Sequence, residues 1–595
     1  MTRWIGIDGE GVGNNPHRYV MLCAADSDGW HDYVEDVRGL STEAVLSFLI
    51  SLPKVNTCGY FLGYDWTMAL QDLPNRSIYR LFRPELRAVP KGFSRIHFRG
   101  YQLHYLSTAM QISYGRRERE TRIIWDLARY YQCSFLEALK AADIPSNRRL
   151  IERMKGERGS WGDDDLDRMR EYCLEECRAL SRLACDLEER HDNAGLKPRT
   201  WYGPGSTASL VLRSHAIQER RGVMSPQVHD AAERAYFGGR FEQSTIGRHE
   251  GVYGYDITSA YPAAARNLPC LEHGHWKWVS PDSDLDVYAA ALVQYHVEDI
   301  GPMPWGPLPC RLGDGNIVYA RGAFSGWAWR DEYLEAVNYW TGIRMSGAWV
   351  LERDCDCRPF GFVDELYKQR EVDAGNKRVY KYALNSLYGK LAQRTGNRPF
   401  HSVIWAGLIT SGCRAQLLRM LGEHSDMNNV LAVATDGLYS TEWHACPDRP
   451  KLGDWARDEH GAMWFIRPGI YWAEADETLR ARGIGRRKLR EQMSVVKEAI
   501  YRGESHAQCG TTRLFGSARE CVYKVHSTGA LKRSRLYGQW FETPARISLT
   551  PHPKRNDDWS LRTLDNIESK PYGDDEQTPD GTVLAAVGRL LSVRH

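Results

Sequence analysis

Two apolar, strand-like runs in this chain end in carboxylates and lie 248 residues apart: Trp4-Ile-Gly-Ile-Asp8-Gly-Glu10 and Val252-Tyr-Gly-Tyr-Asp256. A buried strand cannot carry bare acids into its core without large cost, so each run has to end at a sheet rim where its carboxylates meet solvent or a cation. Two such rims, in 595 residues with 42% hydrophobic and 26% charged side chains, call for several domains. Mean hydropathy is −0.52. No apolar run approaches the roughly eighteen residues of a membrane span, and the N-terminus leads straight into a strand. The expectation is a soluble, cytoplasmic monomer without secretory signal or membrane contact.

The formal charge of +2 hides an asymmetry. From Arg480 to Arg555 there are twelve Arg and five Lys against five Glu and no Asp, a net +12 that leaves −10 on the rest of the chain. A basic block joined to an acidic body suggests a nucleic-acid grip attached to a carboxylate-bearing part, with a merely solvated surface as the alternative. The fourteen cysteines are scattered with no Cys-x-x-Cys pair, which fits reduced thiols. Cys355-Asp-Cys357 is the tightest pair and has no second pair at ligand spacing, so zinc is not expected.

Strand signals continue at Tyr19–Ala24, Phe61–Met68, Ile96–Leu106 and Ile123–Leu127, and helical spacing at Ser134–Ala142 and Asp164–Glu189. Turn formers from Asn193 to Gly205 mark a boundary. Beyond it come a strand from Val252, a Trp/Pro/Gly-rich stretch over Ser280–Arg353, a helical pattern over Phe362–Lys390 and a strand-turn-strand at Leu431–Ser440. From Pro544 the sequence reads as irregular.

Asp8 and Glu10, at i and i+2 on a strand, share a face and repel unless a cation lies between them. Phe61-Leu-Gly-Tyr-Asp65 and Tyr172-Cys-Leu-Glu-Glu176 add acids, the latter on a helix able to cross the first strand. This set resembles the three exonuclease motifs of the proofreading domain of DNA polymerases, an RNase H-like fold with two metal ions on four acids. The resemblance makes Asp8, Glu10, Asp65 and Glu176 metal ligands and Tyr172 a catalytic neighbour. Phe61 stands where the second motif usually has Asn, and Glu176 where the third has Asp.

Asp256-Ile-Thr-Ser259-Ala-Tyr261-Pro262 is a pattern whose four fixed residues would arise by chance in well under about one in a hundred chains of this length. It resembles motif A of family B DNA polymerases. The resemblance gives Asp256 the catalytic metals, the backbone at Ser259 and Ala260 the triphosphate, and Tyr261 the sugar. Lys381-Tyr-Ala-Leu-Asn385-Ser386-Leu-Tyr388-Gly389 places Lys381, Asn385 and Tyr388 along one helical face. It looks like motif B, with Arg370 upstream as a second triphosphate contact and Ser386 and Gly389 on the DNA side. Val430–Ser440 matches motif C with one acid, Asp436, and Ala434 where the family usually has a first Asp. Hard carboxylate oxygens favour two Mg²⁺ or Mn²⁺ ions.

Tyr236-Phe-Gly238-Gly239 resembles the Tyr-x-Gly-Gly template contact of this family. Arg467-Pro-Gly-Ile-Tyr471 stands at its Lys-x-Tyr primer strand, with Gly469 in place of Lys, and Arg480 and Arg482 on the basic strand that follows. The compact length and the 125 residues between motifs A and B resemble the protein-primed branch of phages and linear plasmids. Only 51 residues separate Asn385 from Asp436, which leaves little room for that branch's second insertion and implies weaker processivity.

The implied architecture is multidomain α/β: an RNase H-like exonuclease over 1–190, a linker over 191–250, palm at 251–279, an insertion at 280–355 like the terminal-protein and duplex-contacting region, fingers at 356–400, palm at 401–485, and thumb with tail at 486–595. The implied function is DNA-directed DNA polymerisation with 3′–5′ proofreading on a phage or mobile-element genome. DNA primer-template and dNTPs are its partners, and a terminal protein, an oligonucleotide or an unprimed start all remain open as priming modes. Two alternatives stand beside it: a standalone 3′–5′ exonuclease with a degenerate polymerase site, and a non-enzymatic DNA-binding replication-initiation protein.

Overall fold

Strand β1 (Trp4–Val12) is buried at every residue except Asp8. It pairs antiparallel with β2 (Arg18–Ala25), which pairs with β3 (His31–Glu35), and parallel with β4 (Asn56–Gly59). A meander of β5 (Ile96–Phe98), β6 (Tyr101–Leu106) and β7 (Ala109–Tyr114) leads into β8 (Glu120–Asp126), which lies parallel to β4. The order is β3-β2-β1-β4-β8-β7-β6-β5. In this computed structural model, residues 3–571 are described apart from 84–95, 116–119, 158–160, 314, 476–478, 483, 526, 532–535, 550–553 and 558–565. The sheet belongs to a first compact unit made of Met1–Leu210, Ala374–Ala383 and Thr511–Thr543.

The helix Leu166–Asn193 lies across β1 and β2. The Cys173 thiol donates to the Asp8 carbonyl at 3.2 Å, the Cys177 thiol to the Cys23 carbonyl at 3.4 Å, and the Ser181 hydroxyl to the Trp4 carbonyl at 2.8 Å. Positions four apart share one helix face, so three small polar side chains serve as the contact ridge. Gly6 makes the approach feasible: a Cβ there would stand 2.2 Å from the Cys177 carbonyl oxygen.

Phe61–Met68 is a correction to the strand expectation. The strand stops at Gly59, Phe61 turns with φ +55°, and Gly63–Ala69 is a helix. Buried Asp126 fixes the turn by accepting from the Phe61 amide at 3.0 Å and the Leu62 amide at 3.3 Å. An apolar run of this length does not distinguish strand from buried helix.

The second unit comprises Val211–Asp373, Leu384–Gly510 and Pro544–His595. Its main sheet uses β9 (Arg240–Gln243) and β10 (Thr245–Ile257). A second sheet is built from β11 (Gly274–Val279), β12 (Ala290–Val297), β15 (Phe324–Trp329) and β16 (Ile343–Arg353), with the short pair β13 (Cys310–Arg311) and β14 (Ile317–Val318) between them in sequence. The stretch expected as an insertion therefore folds as a sheet, and Tyr295, Trp305 and Trp340 share a core with Leu417 and Leu421 of the helix Val403–Gly422. The single helical pattern over Phe362–Lys390 is two helices, Phe362–Val372 and Lys377–Leu391, and the link 392–402 that follows holds no strand.

The main sheet is completed by β17 (Val430–Thr435), β18 (Gly437–Ser440), β19 (Trp455–Arg467), β20 (Ile470–Ala473) and β21 (Leu479–Ala481), in the order β21-β20-β19-β10-β18-β17-β9. Strands β22 (His506–Phe515) and β23 (Trp540–Ser548) pair with each other. Of the short β24 (Asn556–Asp557) and β25 (Asn566–Lys570), the latter joins β10. Of the expected thumb and tail, residues 511–543 cluster with the first unit. Pro544 lies within β23 rather than in irregular chain, and 572–595 fall outside the described residues.

The Gly6 contact yields a test of the first unit. Gly6→Ala forces the helix Leu166–Asn193 off β1 and is expected to cost about 1–3 kcal/mol, read as a lowered midpoint in denaturant unfolding.

Candidate active sites

In the first unit, carboxylate oxygens of Asp8, Glu10 and Glu176 all lie within 4.8 Å of one another. Glu10, Asp65 and Glu176 are each under a tenth exposed. The Asp8 carboxyl is held well above the usual carboxylate range, first by burial and then by the charges of Glu176, Cys173, Glu10 and Asp65. Hard oxygens crowded in this way are a donor set that Mg²⁺ or Mn²⁺ would satisfy. Asp65 sits in the first turn of the helix Gly63–Ala69 and accepts from the Tyr19 hydroxyl at 3.0 Å. Gly9 clears the way, since a Cβ there would lie 1.8 Å from that hydroxyl oxygen. Tyr172, one turn before Glu176, is fully buried with its ring 5.7 Å from Trp161.

The acids open onto a cavity of about 610 Å³ whose wall includes Phe61, Lys155, Arg513 and Trp540. Sequence reasoning missed Lys155, whose Nζ lies 2.7 Å from Glu176 Oε1 and 5.1 Å from the centre of the Phe135 ring. It also missed Arg513, stacked 4.7 Å over Trp540, because both return from more than 300 residues downstream. Phe61 is 57% exposed at the cavity edge. Its positive φ is the conformation asparagine tolerates best, so the usual Asn of this motif suits the backbone here better than Phe does.

In the second unit, Asp256 lies near the end of β10 opposite Gly437 of β18. Thr435 has φ +68°, the Asp436 amide donates to the Ala434 carbonyl at 2.8 Å, and the Asp436 carbonyl accepts from the Ile257 amide at 2.8 Å. This tight turn sets Asp436 beside Asp256. Gly437 is needed there, as a Cβ would meet the Tyr255 carbonyl oxygen at 2.6 Å. Desolvation, and then the charge of Asp436, push the Asp256 carboxyl up to about 6 against the opposing pull of Arg480. Burial likewise raises Asp436, and Arg480 again opposes.

Ser259 adopts a left-handed conformation at the start of the helix Ala260–Arg266, and its hydroxyl accepts from Arg370 Nη1 at 2.9 Å. The Tyr261 ring lies 4.8 Å from that of Tyr388, whose hydroxyl is 2.7 Å from that of Tyr236. On the helix Lys377–Leu391, Lys381, Asn385 and Gly389 form an exposed stripe, with Ser386 and Tyr388 half-buried. The Tyr236–Gly239 element is held by Arg414, 1% exposed, which donates to the Phe237 and Gly238 carbonyls at 2.8 and 2.7 Å and pairs with Glu332 at 2.6 Å. Gly239 allows contact with Thr435, where a Cβ would fall 2.6 Å from Cγ2.

Tyr471 is 3% exposed, its ring 5.1 Å from Tyr439, so it packs the sheet interior. Gly469 has φ +86°, and a Cβ there would lie 3.0 Å from Arg482 Cβ. A lysine at this turn would be strained, which accounts for the departure from Lys-x-Tyr. Arg480 and Arg482 are exposed, with the Arg482 guanidinium 5.3 Å over the Phe241 ring. A partner pair for Cys355 and Cys357, not expected from the sequence, is present in space: they meet Cys270 and His273, with ligand atoms all within 4.8 Å. The second half of the set was present in the sequence as Cys270-Leu-Glu-His273.

Residues 147–400 match the family of type B DNA polymerases, organellar and viral. A DNA polymerase of Acidianus bottle-shaped virus (isolate Italy/Pozzuoli) is 26% identical over 231 residues, covering 35% of this chain; the match spans about a third, 34%, of that protein's length. The fold matches Phi29 DNA polymerase complexed with primer-template DNA and incoming nucleotide substrates, with TM-score 0.63 at 12% identity over 92% of this chain and 100% of that one. An orthorhombic crystal form of Phi29 DNA polymerase gives 0.60 at 13% identity, over 82% and 94% of the two chains. No helix among the described residues is long and apolar enough to cross a membrane.

A carboxyl at about 6 is ionised above that pH and protonated below it. In a chain carrying Asp8→Asn and Glu10→Gln, Mn²⁺ affinity of the second unit is therefore expected to fall by up to about tenfold per pH unit below 6. Asp256→Asn should remove both the affinity and its pH dependence in titration calorimetry.

Proposed function

We propose that the chain is a type B DNA polymerase of the organellar and viral kind, a DNA-directed DNA polymerase with 3′–5′ proofreading that copies a phage or mobile-element genome; the match of residues 147–400 to that family supports this. The observation that carries this reading is the meeting of Asp256, near the end of β10, with Asp436, in the turn between β17 and β18, with Arg370 anchored on the Ser259 hydroxyl in the same unit. Mg²⁺ or Mn²⁺ ions held by such acids supply activation of an attacking oxygen and neutralisation of phosphate charge.

The chain's own residues do the positioning. Asp256 and Asp436 hold the cations, Arg370 offers a cation to the triphosphate, and the backbone after Ser259 offers amides. By the family resemblance, Lys381 and Asn385 also face the incoming nucleotide, and Tyr261 blocks a 2′-hydroxyl. The template strand meets Tyr236–Gly239, and the basic stretch around Arg480 and Arg482 grips duplex phosphates without regard to sequence, through salt-sensitive contacts. In the first unit, Asp8, Glu10, Asp65 and Glu176 serve hydrolysis of a frayed 3′ end, with Lys155 fixing Glu176 and Phe61 offering an exposed ring to an unpaired base.

Ala434 favours one competing reading, a 3′–5′ exonuclease whose polymerase site has decayed. A labelled primer-template with Mg²⁺, with and without dNTPs, separates the two. Extension together with degradation that dNTPs suppress supports the editing polymerase, whereas degradation alone supports the exonuclease.

Asp436→Asn is expected to lower extension on the order of 10³-fold while leaving degradation of single-stranded 3′ ends intact. The link 392–402 has no strand pair to enclose template. Products made from one binding event in the presence of a DNA trap should accordingly be short, and long products under the trap would contradict this.

A further inference from the structure

Cys270 and His273 lie in the segment between the helix Ala260–Arg266 and β11, and Cys355 and Cys357 lie just beyond β16. Sheet pairing brings these segments together: Gly274 is opposite Arg353, and the Asp354 amide donates to the His273 carbonyl at 3.4 Å. The His273 Nδ1 is 3.6 Å from Cys270 Sγ and 3.5 Å from Cys357 Sγ, and the four ligand atoms all lie within 4.8 Å of one another. A tetrahedron with Zn–S near 2.3 Å and Zn–N near 2.0–2.1 Å has S···N edges of about 3.5–3.6 Å and S···S edges of about 3.8 Å. The His273–Cys distances already match those edges.

We propose that Cys270, His273, Cys355 and Cys357 form a closed structural zinc site. Three sulfur donors and one imidazole select a soft or borderline ion, which separates this site from the carboxylate sets suited to Mg²⁺. With four protein ligands it has no open position, so its role is to hold structure. The ion ties the segment after the motif A helix to the segment before the helix Phe362–Val372, which bears Arg370. It thereby closes a loop in which His273 and Cys357 are 84 residues apart. The Nε2 of His273 stands 4.0 Å from a Glu272 carboxylate oxygen, on the side away from the sulfurs. This assignment does not depend on the polymerase reading.

The test uses the full chain purified under reducing conditions without chelator. The expected result is one equivalent of zinc by elemental analysis. Exchange for Co²⁺ should give an intense thiolate-to-metal charge-transfer band and the red-region d–d bands of a tetrahedral site. Cys355→Ser with Cys357→Ser should lose the equivalent and the bands, while Cys446→Ser, a half-buried cysteine elsewhere, should keep both. A wild-type chain with neither zinc nor a cobalt thiolate band, zinc retained by the double variant, or a disulfide among these cysteines in non-reducing mass spectrometry would each overturn the proposal.

Discussion

Mutual repulsion between carboxylates is the constraint around which both units are arranged. Acids as close as Asp8, Glu10 and Glu176 separate unless the backbone beneath them has nowhere to go. The glycines of β1 supply that rigidity by allowing approach. Gly6 admits the helix that carries Glu176, and Gly9 admits the Tyr19 hydroxyl that holds Asp65. In the second unit Gly437 does the same for the turn that sets Asp436 beside Asp256. Apart from Lys155 against Glu176, the packing that holds the acids of the first unit is steric and hydrogen-bonded, so much of the strain of gathered charge remains available to be relieved by a cation.

Arg414 shows a different use of buried charge. Its guanidinium makes two hydrogen bonds to Glu332 and one each to the carbonyls of Phe237 and Gly238. A buried pair of this kind contributes little net stability, yet removing one partner typically costs about 3–5 kcal/mol because the other is left uncompensated. Its contribution is to position: it ties the Tyr236–Gly239 element to the helices Val403–Gly422 and Arg330–Tyr339. The hydroxyl pair Tyr236–Tyr388 and the ring contact Tyr388–Tyr261 then extend that fixed point toward motif A.

What was legible in the sequence was what a local period can express. Asp8 with Glu10 and the Lys381–Asn385–Tyr388 face follow from spacings of two or of three to four residues, while Asp256 and Asp436 follow from strand-end patterns that resemble motifs A and C. Asp65 was identified on the wrong element, because the capping of its turn by Asp126 comes from 65 residues away. Lys155, Arg513 and Trp540 were invisible for the same reason: nothing local marks a side chain that tertiary structure returns to an acid cluster. The cysteine set shows the limit most plainly, since Cys-x-x-His and Cys-x-Cys are weak separately and only the pairing of β11 with β16 joins them. Departures from the family pattern divide by cause. Gly469 answers a backbone need at φ +86°, whereas Phe61 runs against the preference of its own φ of +55°.

Ala434 belongs to neither class, because the turn that places Asp436 is made by backbone atoms and does not need an acid at 434. Its effect is on charge. The second unit presents Asp256 and Asp436, with Asp458 adding a further negative charge near Asp256 and Arg480 opposing the elevated pKa values, while the first presents four acids with Lys155 against one of them. Cation affinity follows the net negative charge of the donors. The first unit can therefore hold divalent ions largely with its own carboxylates. On the proposed reading, the second would draw on a ligand that brings further negative oxygens, as a triphosphate does. On the proposed polymerase reading, ion binding and nucleotide binding would be linked reciprocally in the second unit, each raising the affinity for the other, and an alanine at 434 would make cation occupancy conditional on substrate.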